Sequence, residues 1–111
     1  MMGERNTTDF YVRLLSEVID IHQYPFIKLI IDHRITEEEY NELFRLLDDL
    51  QKEYEIQKEE GLIDFSSLLV HFAGMLNEKL HPTEVIFALK KEGYYPSLMN
   101  EFIRIMNKEG I

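Results

Sequence analysis

Four histidines, His22, His33, His71 and His81, are the obvious metal ligands of this 111-residue chain. Glu78-Lys79-Leu80-His81 has the carboxylate–histidine spacing that di-iron helix bundles use to aim both groups at one ion. Such a centre needs that motif twice, plus two further glutamates, and the sequence holds it once. His81 also precedes Pro82, and a proline disfavours helical geometry in the residue before it, so Glu78 and His81 are not expected to share a helical face. Asp32-His33-Arg34-Ile35-Thr36-Glu37-Glu38-Glu39 resembles the exit of a calcium loop. Calcium, however, needs oxygen ligands at alternate loop positions and a glycine at the bend, and His33, Arg34 and Ile35 supply neither. An ordinary helix cap accounts for the segment.

Other chemistries fare no better. Ser66 or Ser67 would need a base and an oxyanion hole, and no glycine-framed serine elbow is present. Phosphate loops and dinucleotide fingerprints are missing too. With no cysteine there is no thiolate nucleophile, disulfide or thiolate metal ligand. The expectation is a protein without catalytic residues, cofactor or metal, with a metal-dependent activity as the residual alternative. His71 is weighed separately, because it lies with Ser67, Gly74 and Glu78 on a narrow polar stripe of an otherwise apolar segment. Small residues beside it suit a tight helix or subunit contact; lining a ligand is the competing reading. Asn77 and Glu78 extend this set, since a polar group within an apolar helix serves either close packing or one specified hydrogen bond.

The elements that would carry these residues are all helical. Thr7 or Thr8 can cap a first helix bearing Phe10, Tyr11, Leu14, Leu15, Val18 and His22 at helical spacing, expected to run to about His22. Tyr24-Pro25 interrupts it and opens a short second helix to His33, whose Phe26, Ile27, Leu29, Ile30 and Ile31 are apolar on most sides, the mark of a buried segment. Thr36 and Glu39 form a capping box that starts a long helix near residues 37–60, closed by Gly61. At 1.5 Å per residue it spans ~36 Å, so its far end is expected to project or to meet another subunit. Asp64 caps a fourth helix, expected at the centre of the fold. Pro82 and Gly93 bracket a fifth, and Pro96 opens a sixth. Strand alternation, repeats and domain linkers are absent from the sequence, so residues 1–111 are read as a single helical domain.

Charge narrows the partners. The chain carries a formal −9, which repels nucleic acid and bare anionic membrane. Between Thr36 and Glu60, ten acidic residues face three basic ones, so that segment holds −7 of the total. Its exposed start, with Glu37, Glu38 and Glu42, is either a solvated helix face or a docking surface for a basic protein. No apolar run approaches the ~20 residues of a membrane span, and the first residues lack a signal-peptide hydrophobic region, so the cytoplasm is expected.

Tyr24-Pro25-Phe26 with Leu29-Ile30-Ile31-Asp32, then Phe72-Ala73-Gly74-Met75-Leu76-Asn77-Glu78-Lys79-Leu80, then Ile86-Phe87-Ala88-Leu89 and Gly93 together resemble the YhaI-like family of small bacterial proteins, a domain of unknown function. The resemblance spans nearly the whole chain. It implies a multihelical fold that self-associates, and it transfers no catalytic or binding residue. The combined expectation is an all-α, multihelical single domain of about six helices that forms a homo-oligomer and binds a further, basic protein. The alternative is a small-molecule carrier or sensor whose apolar cavity is lined by His71, Tyr24 or Tyr94.

Overall fold

Proline, threonine and glycine divide the chain where local chemistry demands. The computed structural model describes the backbone of residues 2–110 and the side chains of residues 7–110. Six helices run in order: α1 (Met2–Val18), α2 (Pro25–Asp32), α3 (Glu37–Glu59), α4 (Ser66–Met75), α5 (Pro82–Lys91) and α6 (Pro96–Lys108), with a 3-10 turn at Ile21–Gln23 between the first two. Among the described residues there is no strand. Pro25, Pro82 and Pro96 each stand in the first turn of their helix, where the missing N–H costs nothing. This settles the start of α5 at Pro82. At α3 the capping box is complete: Thr36 Oγ1 accepts from the Glu39 amide at 3.0 Å and Glu39 Oε1 accepts from the Thr36 amide at 2.9 Å.

The same closure ends α2, α3 and α5. Gly61 N–H donates to the Lys58 carbonyl at 3.0 Å and Leu62 N–H to that of Gln57 at 3.0 Å, the two bonds of a Schellman cap. Gly93 and Tyr94 repeat the pattern on Lys90 and Leu89. Both glycines sit at positive φ, 85° and 84°. In α2 the left-handed place falls to Arg34, at φ 53°, which costs a non-glycine residue on the order of 1 kcal/mol.

The centre of the fold is α5 against α6. Val85, Ile86 and Leu89 meet Leu98, Met99 and Phe102, all fully buried. Leu47 of α3, Phe72 of α4 and Phe26 of α2 close the core around them. The expectation of a central α4 is therefore corrected. It buries Leu68 and Phe72 but leaves Val70, His71, Ala73, Gly74 and Met75 exposed, because its ten residues meet the rest of the chain along one row. Nor does α3 project: Leu50 and Tyr54 are buried near its far end, with the Tyr54 ring 4.9 Å from that of Phe65.

Helix α1 departs most from expectation. It begins at Met2, so Thr7 and Thr8 lie within it rather than capping it, and it ends at Val18 instead of His22. Asp20 explains the early end: its carboxylate accepts from the His22 amide at 3.2 Å, offering the backbone a turn in place of another helical residue. From Phe10 to Ile19, every apolar side chain of this segment is exposed. The molecule is accordingly long, 56 × 25 × 22 Å, with a radius of gyration of 16.4 Å against ~13 Å for a compact domain of this size.

Helix α2 has no side-chain cap of its own. Instead Glu92, at the end of α5, turns its carboxylate onto the open turn and accepts from the Phe26 amide and, at 3.3 Å, from the Ile27 amide. A negative charge at a helix N-terminus satisfies orphan donors and meets the positive end of the helix dipole. Replacing Glu92 with alanine is expected to lower stability by about 1–2 kcal/mol in chemical denaturation, the usual worth of a lost cap with charged character. An unchanged midpoint would show that the cap contributes nothing.

Candidate functional site

Glu37, Glu38 and Glu42 stand exposed at the start of α3. Two of them lie in its first turn, where the helix dipole favours negative charge. Glu39 between them is used differently. Besides the Thr36 amide, its carboxylate accepts from Lys79 Nζ at 2.7 Å and Asn77 Nδ2 at 2.8 Å. These bonds, that to Lys79 first, lower its pKa from the ordinary 4.5 to about 2. Asn77 Oδ1 in turn accepts from the Lys79 amide at 2.9 Å. The segment between α4 and α5 is thereby tied to the start of α3.

The positions singled out on the polar stripe are thus divided. Asn77 and Glu78 lie beyond the end of α4, so Glu78 does not continue the Ser67, His71, Gly74 row. Asn77 is half-buried and hydrogen-bonded, and Glu78 is exposed. Ser67, His71 and Gly74 do share the outer side of α4, all exposed, and a methyl group built on Gly74 would meet nothing within 4 Å. Among the described residues of one copy, no helix covers that stripe. Tyr94 belongs to the core's aromatic cluster, its ring 5.6 Å from Phe26 and 5.5 Å from Phe44. Among the described residues no three His, Asp or Glu side chains gather to hold a metal ion, and no helix is long and apolar enough to cross a membrane.

A groove of about 940 Å³ lies between α1 and α2. Val12, Leu15 and Ile19 form one wall, Ile27 and Ile31 the other, and Tyr24 closes the end where the chain turns. Asp9 and Arg34 face each other across it at 3.9 Å, an exposed pair worth little. The groove exists because α2 is held by one side only: Phe26 points into the core and Glu92 grips the backbone, leaving Ile27 and Ile31 43% and 42% exposed on the opposite side. The expectation of an all-round buried α2 fails for that reason. Helix α1 adds a second surface. At ~100° per residue, Phe10, Tyr11, Leu14 and Val18 form a ridge facing away from the groove wall, so apolar residues cover more than half its circumference. Val18, on this ridge, is 79% exposed. The sequence showed the stripe, and among the described residues nothing covers it.

The chain belongs to a family described as a protein of unknown function (DUF1878), whose model matches residues 2–107. That match takes in α1 and the groove together with the α5–α6 core, so the uncovered helix is part of the family's domain rather than an addition to it.

Because the Glu39 pKa is lower in the folded chain than when unfolded, the stability it contributes is complete above about pH 4.5 and lost as pH falls toward 2. A carboxyl-carbon NMR titration is expected to give Glu39 a midpoint well below the ordinary 4.5. In Lys79→Met the Glu39 midpoint should move up and the acid-dependent loss of stability should shrink; an unmoved midpoint would remove Lys79 as the cause.

Proposed function

We propose that this chain is a non-catalytic protein-binding module of the cytoplasm that works as a homo-oligomer. One observation carries the reading: a whole helix, α1, keeps its described apolar face in water. Monomeric proteins rarely expose contiguous apolar patches beyond a few hundred Å², and larger ones mark contacts with other molecules. The likeness of residues 24–32, 72–80 and 86–93 to the YhaI-like proteins supports self-association in the same sense. The acidic start of α3 supplies the second contact, to a basic protein. Glu37, Glu38 and Glu42 are free of the hydrogen bonds that occupy Glu39, and like-signed charge without a local counterion speeds encounter with an oppositely charged surface.

A second reading takes the groove as a binding place for an apolar small molecule. Its volume and the presence of Tyr24 in its wall favour that reading, whereas His71 is remote in kind, exposed on α4, and Tyr94 is packed into the core. A ligand that fills the groove must raise the melting temperature by mass action.

Light scattering at micromolar concentration is expected to give a mass that is a multiple of 13.3 kDa. A single-chain mass at every concentration would remove the oligomer. Reversing Glu37, Glu38 and Glu42 to lysine is expected to weaken capture of a basic partner about tenfold at low salt, with the fold intact by circular dichroism, and to make little difference at high salt. Equal capture by both forms would remove the acidic docking surface.

A further inference from the structure

The groove and the ridge are different surfaces of the same helix, and each is apolar enough to fill or be filled by the other. We infer that the groove between α1 and α2 is occupied by the α1 ridge of a second copy of this chain. This rests on the self-association proposed above and adds the surface, the occupant and the symmetry.

Area supports the occupant. The exposed fractions of Phe10, Tyr11, Leu14 and Val18, taken over side chains of roughly 150–250 Å² each, leave on the order of 500 Å² of ridge. Val12, Leu15, Ile19, Tyr24, Ile27 and Ile31, which line the groove, are themselves partly exposed. Full seating of one ridge in one groove therefore takes at most ~1,000 Å² of apolar surface from water, the lower bound for a specific interface.

Charge supports a second copy of this particular chain. Two molecules at −9 repel each other wherever their acidic faces meet, yet residues 7–34 hold four acids against three bases and so carry only −1. The acidic load sits on α3, outside this region. Association through α1 and α2 lets the acidic faces stay apart and leaves them open to another partner.

Symmetry follows from the helical wheel. On α1 the ridge centred on Leu14 and Val18 lies ~130° around from the groove wall centred on Val12 and Ile19. A twofold axis pairs one patch with itself, residue i on j and j on i, whereas a ridge and a groove that face different neighbours pair head-to-tail. The contact is head-to-tail, each copy giving a ridge to one neighbour and a groove to the other, which builds a ring of three or more chains where the rotation closes and an open chain where it does not.

The test uses full-length chain and two double variants, Leu14→Glu with Val18→Glu on the ridge, and Ile27→Glu with Ile31→Glu in the groove, with mass read by light scattering at micromolar concentration. Wild type should have the mass of at least three chains, and each variant alone should fall to one chain. Mixed, the two variants should form a pair of one copy each, because one still offers a groove and the other a ridge; only folded proteins can complement in this way. An assembled groove variant, or a mixture without pairing, overturns the inference. Val70→Glu with Met75→Glu on α4 separates the two levels: if wild type assembles and only this variant comes apart, self-association stands and the α1 contact falls. If wild type itself is a single chain, the reading beneath both fails.

Discussion

The arrangement depends on how α2 is held. Its first turn begins with Pro25 and has no local capping side chain, so the free amides of Phe26 and Ile27 must find an acceptor elsewhere. They find it 66 residues along the chain, in the carboxylate of Glu92 at the end of α5. Phe26 then enters the core, its ring edge-on to Phe44 at 5.8 Å and beside Tyr94 at 5.6 Å. With backbone and one side chain fixed from the same direction, α2 has a buried side and an open side. The open side becomes one wall of the groove, and α1, joined to it through the turn that Asp20 enforces, becomes the other.

This division separates two kinds of surface. The acidic charge stays on α3, where Thr36, Lys79 and Asn77 engage Glu39 and leave the neighbouring glutamates to solvent. The apolar excess stays on α1 and the outer side of α2, where net charge is close to balance. A chain with both on one face would repel its own copies. Kept apart, one surface can serve assembly while the other serves a partner of opposite charge.

Local signals were legible and distant ones were not. The Thr36–Glu39 box, the prolines at helix starts and the closing glycines at 61 and 93 act over four or five residues, and each helix boundary they mark falls within a residue or two of its expected place. Glu92 looks like any charged residue at a helix end, because its role depends on an amide 66 positions away. Burial was read least well. Apolar composition placed α4 at the centre and α2 under cover, but composition records how much surface a helix would hide, not whether one copy has the neighbours to hide it. Glu78 shows the same limit in miniature: it continued the row of Ser67, His71 and Gly74 only as long as α4 was taken past Met75.

The central claim is that the apolar face of α1 is covered by association alone. Amide hydrogen exchange followed by mass spectrometry across a dilution series tests it most directly. The account predicts that peptides covering residues 9–31 are protected at high protein concentration and exchange faster on dilution, while the buried amides of α5 and α6 keep the same rate throughout. Protection of those peptides that does not change with concentration, in a protein whose mass falls on dilution, would contradict it.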